Sequence, residues 1–180
     1  MEKIIYDNLV ELAIKGESDL RLRPICDGDT DNIIRWRNSD LVKSQFIFRE
    51  PLTYEIHRKW LDEKVYTGNV IQYIIVDDGV PIGSVYIRDI DLKNESGEFG
   101  IFIGDFSKQG KGVGTSITRA FVSYCFNLGF HRVFLRVLSD NKRAISCYNK
   151  AGFRMEGKAK DMVVIDGSRV DVIFMASLSD

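Results

Sequence analysis

The chain has 180 residues, of which 44% are hydrophobic and 28% charged, and its formal net charge is −1. This composition is typical of one soluble globular domain and does not favour binding of nucleic acid or of an anionic membrane surface. No apolar stretch approaches the roughly 20 residues that span a bilayer, and the first residues lack the layout of a secretion signal. The three cysteines are widely spaced, so we expect a cytoplasmic protein with reduced, mostly buried thiols and no metal.

The N-terminal half is predicted to combine helices with a first strand. Residues 1–18 read as an amphipathic helical extension that packs on its own domain or on a second copy in a homodimer, and residues 19–180 as one further domain. A strand is expected over 19–24, and helices over 29–38 and 53–66. The apolar residues that recur at helical spacing in the extension are Ile5, Leu9, Leu12 and Ala13, with Gly16 as its end.

The C-terminal half alternates strands with two helices. Two-residue turns, Asp78-Gly79 and Asp166-Gly167, predict hairpins because both positions of such a turn need positive φ. Between these hairpins lie a strand, an amphipathic helix, a second strand and a second helix. The sequence therefore predicts a mixed α/β fold. The strands are expected at 70–76, 80–90, 98–103, 133–138, 162–165 and 170–175, and the helices at 113–128 and 141–150.

A glycine-rich loop, residues 108–115, separates the strand at 98–103 from the helix that follows. Glycines without a Cβ let an anion approach the backbone, and the start of a helix adds free N–H groups and a positive dipole end. The spacing does not fit a nucleoside triphosphate loop, which needs four residues before Gly-Lys and then Ser or Thr. Neither does it fit the Gly-x-Gly-x-x-Gly turn of a dinucleotide fold. A glycine turn that only caps a helix remains the alternative.

The pattern that remains is Gln-x-x-Gly-x-Gly, formed by Gln109, Gly112 and Gly114. It resembles the pyrophosphate-binding loop of the GNAT family of N-acetyltransferases, which use acetyl-CoA. A second segment is similar to another motif of that family, Asn-x-x-Ala-x-x-x-Tyr-x-x-x-Gly-Phe, at residues 141–153. From residue 20 onward the chain is identified as a member of this family, closest to the branch of ribosomal-protein N-terminal and polyamine acetyltransferases.

The resemblance implies a mostly antiparallel central sheet, flanked by helices, in which the fourth and fifth predicted strands splay apart into a wedge beside 99–103. It implies direct transfer of an acetyl group from acetyl-CoA to a primary amine, without a metal. Tyr148 would protonate the leaving thiolate. The residues expected to bind the cofactor are Ile101, Phe102, Ile103, Gln109, Gly110, Lys111, Gly112, Val113, Gly114, Thr115, Asn141 and Ala144.

The base that accepts the amine proton is less clearly marked. Glu98 is the leading candidate, because a carboxylate on this strand would face the acceptor; a Glu that only pairs strands, and loss of the proton to water, are alternatives. His57, read as lying on the polar side of its helix, and His131 are weaker candidates. Cys147 is interpreted as a packed helical thiol, because no His-Asp or His-Asn partner is evident.

The acceptor is left open between a peptide and a small-molecule amine. An acidic pocket would favour polyamines, a stacking site amino-sugar nucleotides, and a shallow groove a protein N-terminus or an aminoglycoside-like compound. Residues 36–38 are also similar to acetyltransferases of nucleotide-linked amino sugars. The residues expected on this side of the site are Trp36, Arg37, Phe46, Phe48 and Arg49. The alternative function is a non-catalytic CoA-binding sensor or scaffold.

Overall fold

Eight strands form a single sheet in the computed structural model, which describes residues 6–16 and 19–179. The sheet order is β1-β2-β3-β4-β5-β6-β8-β7, and every neighbouring pair is antiparallel except β5 with β6. The predicted mixed, mostly antiparallel α/β fold is confirmed. The strands are β1 (Leu12–Ala13), β2 (Leu20–Pro24), β3 (Ile71–Asp77), β4 (Val80–Asp91), β5 (Ser96–Ile103), β6 (Arg132–Leu138), β7 (Arg154–Ile165) and β8 (Ser168–Leu178).

Helices cover both faces of the sheet. They are α1 (Thr30–Asn38), α2 (Asp40–Lys43), α3 (Tyr54–Trp60), α4 (Val113–Asn127) and α5 (Lys142–Lys150). Side chains of a strand alternate between faces, and β5 shows how this divides the core. Phe99 packs on Phe121 of α4 with ring centroids 6.2 Å apart. Phe102 lies on the opposite face, 6.3 Å from Trp36 of α1.

The predicted hairpin turns are confirmed. Asp78 and Gly79 have φ of 50° and 75°, and Asp166 and Gly167 have φ of 50° and 78°. The C-terminal hairpin is longer than predicted, because β7 begins at Arg154. Most side chains of β7 are exposed, so this part of the sequence lacks the alternation of apolar and polar residues that marks a half-buried strand.

The wedge predicted beside β5 is present. On one side β5 pairs with β4 from Ser96 to Ile103, whereas on the other side it pairs with β6 only from Ser96 to Glu98. Beyond Glu98 the two parallel strands diverge. One edge of β5 is therefore open over residues 99–103, and it leads into the glycine-rich loop.

The predicted N-terminal helix is wrong over the described residues 6–16. Tyr6–Asn8 forms a short 3-10 turn, and β1 pairs with the edge strand β2 of its own domain. Ile14 is 4% exposed in the core, so the segment gains burial and backbone pairing that a short isolated helix would lack. Ile5 lies outside the described residues.

The buried face of α3 also differs from the prediction. His57, predicted on the polar side of this helix, is 2% exposed, whereas the neighbouring apolar residue Ile56 is 53% exposed. The helix continues as a π-helical turn, Leu61–Val65, and its inward positions are His57, Leu61 and Val65 at four-residue spacing. Because His57 is polar, a pattern of apolar residues at helical spacing does not identify this inward face.

The three cysteines are free thiols. Cys125 is buried and Cys147 is half-buried, whereas Cys26 is exposed and so departs from the expectation of mostly buried thiols. No helix of the described residues has the length and apolar character needed to cross a membrane.

Candidate functional site

A cavity of about 920 Å³ passes through the wedge between β5 and β6. One part, the glycine-loop half, is lined by residues of the glycine-rich loop and of α5. The other part, the arginine half, is lined by residues of α1, α3, β4 and β6, together with the segment between α2 and α3. The open edge of β5 lies between the two halves, so groups bound in each would meet there.

The glycine-rich loop is held in an anion-binding conformation. Gly110 and Gly112 have φ of +80° and +87°, a region that favours glycine, and α4 begins at Val113. The N–H groups of residues 110–114 meet no acceptor within the described part of the chain. These donors and the positive end of the α4 dipole lie together, which is the arrangement that binds phosphate groups.

Gln109 fixes the loop to its neighbours. Its Nε2 donates to the carbonyl of Ile103 at 3.0 Å, and its Oε1 accepts from Arg143 of α5 at 2.8 Å. The first residue of the motif therefore ties the loop to the end of β5 and brings a guanidinium beside it. Lys108, in contrast, forms an ion pair of 2.7 Å with Asp77.

Replacing Gly112 by Ala tests the loop conformation. A left-handed φ costs an L residue about 1–2 kcal/mol, and relaxing that strain would turn the N–H groups away from their common focus. We expect the affinity for CoA, the ligand that the GNAT resemblance implies, to fall roughly ten-fold or more, measured by isothermal titration calorimetry. Gly79→Ala is the matched control, because Gly79 has a φ of +75° and equally open surroundings in a distant turn. Equal CoA affinities of the two variants would contradict this role of Gly112.

Asn141 begins α5 as predicted. Its Oδ1 accepts from the backbone N–H of Ala144 at 3.1 Å, which caps the helix, while its Nδ2 has no hydrogen-bond partner among the described residues. In the same region Thr115 Oγ1 contacts Cys147 Sγ at 3.4 Å. The sulfur thus packs against the start of α4, in agreement with a packed thiol.

Tyr148 lies on the cavity wall two turns further along α5. Its ring packs edge-on against Phe99 at 6.1 Å and against Phe153 at 5.9 Å. Burial raises the pKa of its hydroxyl above the ordinary value, with smaller contributions from Cys147 and Tyr86. Tyr148 therefore stays protonated at neutral pH, as an acid must before it gives up its proton.

The open edge of β5 presents alternate backbone groups to the wedge. Gly104 N–H donates to the Ile82 carbonyl at 2.8 Å, so in an antiparallel pair the groups of Phe102 and Gly100 also point to β4. Those of Phe99, Ile101 and Ile103 point the other way, into the wedge. Phe102, predicted among the cofactor-binding residues, instead directs its backbone to β4 and its side chain to the arginine half.

Glu98 is enclosed by two arginines. Its carboxylate accepts from Arg136 at 2.8 and 2.9 Å and from Arg88 at 3.1 and 3.2 Å, and the residue is 4% exposed. Burial alone would raise its pKa, but the hydrogen bonds and charges of Arg136 and Arg88 outweigh this and the pKa lies below the ordinary value. Such a carboxylate accepts a proton poorly near neutral pH.

Three residues of the arginine half were missed by the sequence reasoning: Tyr86, Arg88 and Arg136. Tyr86 lies over Gly100, where a Cβ would come within 2.3 Å of the Tyr86 ring carbon Cζ. Arg88 is the cross-strand neighbour of Glu98. A signal was available for Arg136, since it is the one charged residue inside the otherwise apolar run 133–138.

The aromatic and arginine residues expected on the acceptor side divide into three groups. Trp36 is part of the core, and Arg49 forms an ion pair of 2.9 Å with Asp166. The guanidinium carbon of Arg37 lies 3.5 Å from the centroid of the Phe46 ring. Phe48 is 60% exposed and lines the cavity. Core packing, an ion pair and an exposed aromatic side chain therefore all occur among these residues, and stacking on a bound acceptor stays a prediction.

Comparison with known proteins agrees with this site. Residues 19–154 match the family described as an acetyltransferase (GNAT) domain. The chain is 30% identical over 158 residues to a spermidine N(1)-acetyltransferase of Vibrio cholerae, covering 86% of this chain and 90% of that protein. It is 28% identical to an uncharacterised protein of Methanocaldococcus jannaschii, covering 82% of this chain but only 31% of that longer protein.

Comparison with solved structures finds a similar fold in the same group of proteins. The crystal structure of the Vibrio cholerae spermidine N-acetyltransferase in complex with CoA and spermine superposes with a TM-score of 0.83 at 27% identity, covering 90% of this chain and 96% of that one. The family match covers most of the chain and coincides with the wedge, the loop and the tyrosine helix. The chain belongs to the GNAT family, as an N-acetyltransferase.

Proposed function

We propose that this N-acetyltransferase takes its acetyl group from acetyl-CoA and transfers it to a primary amine by direct attack in a ternary complex. One observation carries the proposal: the glycine-rich loop, the open edge of β5 and Tyr148 line one cavity that continues into the arginine half. Donor and acceptor could thus be bound together. The related Vibrio cholerae enzyme has been crystallised with CoA and spermine, which supports the donor.

The glycine-loop half suits CoA residue by residue. The N–H groups of residues 110–114 would bind its pyrophosphate, with Arg143 adding positive charge beside them. The free edge of β5 would pair with the pantetheine amides, as would the unpaired Nδ2 of Asn141. The Ile101 N–H points into the wedge, and a donor to the developing oxyanion is worth roughly 3 kcal/mol.

Direct transfer forms a C–N bond and breaks the C–S bond of the thioester. The amine lone pair attacks the carbonyl carbon, and Tyr148 gives its proton to the departing sulfur. The amine nitrogen then releases a proton to water, and Tyr148 regains one from solvent. We assign the amine proton to water rather than to Glu98, because Arg88 and Arg136 already occupy that carboxylate.

Two measurements test this function in sequence. Calorimetry with acetyl-CoA should give binding in the micromolar range, and its absence would contradict the proposal. A screen of primary amines, followed through release of the CoA thiol, should then identify an acceptor. Binding of acetyl-CoA without thiol release from any amine would support the sensor or scaffold alternative.

A further inference from the structure

The arginine half carries more positive than negative charge. Arg37, Arg88 and Arg136 line it, and Glu98 is its one acidic residue among the described residues; the other carboxylate of the cavity, Asp140, lies just before α5 on the side of the glycine-loop half. The Glu98 side chain is 6% exposed and shared between Arg88 and Arg136, whose side chains are 28% and 26% exposed. One carboxylate therefore balances one of three guanidinium groups.

Arg37 forms no ion pair with a carboxylate of the described residues. Its Nη1 is buried and meets no hydrogen-bond acceptor within the described residues, and the guanidinium lies over the Phe46 ring. Burial lowers its pKa; Tyr86 opposes this shift and the charge of Arg88 adds to it. A guanidinium nevertheless remains charged in proteins. A partly buried cation with an unpaired donor is costly, and a carboxylate or phosphate relieves that cost with two parallel hydrogen bonds.

A second unsatisfied group lines the same cavity. His57 Nδ1 lies 3.1 Å from Thr30 Oγ1, but His57 Nε2 is buried without a partner among the described residues. Arg37 Nη1 and His57 Nε2 are the two buried side-chain atoms left unsatisfied in the described part of the chain, and both residues belong to the cavity wall. Native structures rarely leave such groups unpaired unless a water, an ion or a ligand meets them.

We propose that the acceptor is a primary amine that also carries an anionic group, a phosphate or a carboxylate, and that Arg37 binds this group. The inference rests on the proposed acetyl transfer and names the acceptor class for it. Arg88 and Arg136 strengthen the positive potential, and His57 Nε2 supplies a neutral polar contact, because burial lowers the pKa of its imidazole.

The same charges argue against a polyamine acceptor. A linear polycation needs carboxylates along its binding site, and the one carboxylate of this half is already neutralised by arginines. The mouth of the arginine half instead has the exposed apolar side chains Leu41, Phe48 and Ile56. They suit a ring or an aliphatic body between the amine and the anion, which differs from the substrate named for the Vibrio cholerae relative.

Paired acceptors test the proposal. Thiol release is measured at saturating acetyl-CoA with glucosamine 6-phosphate against glucosamine, with β-alanine against β-alanine amide, which has no carboxylate, and with spermidine. At least one anionic member should exceed its neutral partner ten-fold or more in kcat/KM, and the two pairs distinguish phosphate from carboxylate. Spermidine should be the poorer substrate. If spermidine or the neutral amines are acetylated as well as the anionic ones, the inference is overturned while the proposed function stands. If no amine releases thiol, the proposed function fails.

The variant Arg37→Met tests whether Arg37 binds the anionic group of the acceptor. It should reduce the preference for the anionic amine ten-fold or more, through KM rather than kcat, and Arg37→Lys should restore part of it. Arg35→Met is the control on the same helix, where Arg35 is exposed and bonded to Asn32. Thermal denaturation separates binding from structure: Arg37→Met should unfold at the same or a higher temperature, because it removes an unpaired buried charge. A clear fall in Tm with an unchanged preference would make Arg37 structural and overturn the assignment.

Discussion

Tyr148→Phe is expected to lower kcat for amine acetylation roughly ten-fold or more. The departing thiolate requires a proton, and the proposed donor is the hydroxyl of Tyr148, which α5 places on the cavity wall. Its pKa lies above the ordinary tyrosine value, so the acid remains loaded throughout the neutral range. The substitution retains the ring that packs on Phe99 and Phe153. The KM for acetyl-CoA and the unfolding temperature should therefore change little, and steady-state kinetics separates these quantities.

The matched control for this variant is Tyr124→Phe. Tyr124 is also half-buried beside the core of the same sheet face, but its hydroxyl meets that of Tyr73 at 3.2 Å and the residue does not line the cavity. Loss of that hydroxyl should leave kcat unchanged. An unchanged rate in Tyr148→Phe, or equal losses in both variants, would remove Tyr148 from the role of general acid.

The glycine-loop half was predictable because its chemistry is local. The spacing of Gln109, Gly112 and Gly114 lies within one loop, and that of Asn141 and Tyr148 within one helix. Left-handed glycines, a helix start and an N-cap follow from residue type and short-range spacing alone. The structure adds the link between the two motifs, in which Gln109 bonds both β5 and Arg143.

The arginine half could not be predicted in the same way, because its charges come from distant segments. Arg37, Arg88, Glu98 and Arg136 meet only after β4, β5 and β6 pair in one particular register and α1 covers them. A shift of one residue would direct Arg88 and Glu98 to opposite faces. Glu98 read alone resembles a general base; because two arginines bind it, we propose that the carboxylate has a positioning role instead.

Hydrophobic periodicity gave wrong predictions where contacts between distant segments determine which residues are buried. Residues 6–16 carry apolar side chains at helical spacing, yet β2 offered an unpaired edge and the segment became a turn and a strand. In α3 the inward position is His57, which a hydrophobic pattern assigns to the solvent side. Its Nδ1 lies 3.1 Å from Oγ1 of Thr30, 27 positions earlier in the chain, a contact that a local pattern does not reveal.

Glu98→Gln is expected to lower the free energy of unfolding by about 3 kcal/mol at pH 7. The amide offers one acceptor instead of two oxygens, and its NH₂ group faces guanidinium donors. Two partly buried arginines would then lack their counter-ion. For a chain of this size the loss corresponds to a fall in Tm of roughly 6–12 °C. Calorimetry and denaturant unfolding measure both quantities, and Glu156→Gln is the matched control.

Glu156 also holds an arginine, Arg132, but its side chain is 42% exposed. Surface ion pairs contribute about 1 kcal/mol or less, so this control should change little. The pH dependence of the free energy of unfolding is an independent test of the Glu98 contribution. Because the folded state lowers the pKa of Glu98, its contribution is present above the unfolded value of about 4.3 and is lost as the pH falls through the lower folded value. The gap between wild type and Glu98→Gln should therefore narrow below pH 4.3.

The same variant separates a positioning carboxylate from a general base. If Glu98 holds Arg88 and Arg136, its loss should raise the KM for the acceptor and leave the acid limb of the kcat profile in place, since that limb then belongs to the amine. If Glu98 accepts the amine proton, kcat should fall 100-fold or more, in the range typical of general bases, and the acid limb should disappear. The Glu98 carboxylate accepts four hydrogen bonds from Arg88 and Arg136, and these lower its pKa, so it is a weak base. We therefore expect the first outcome.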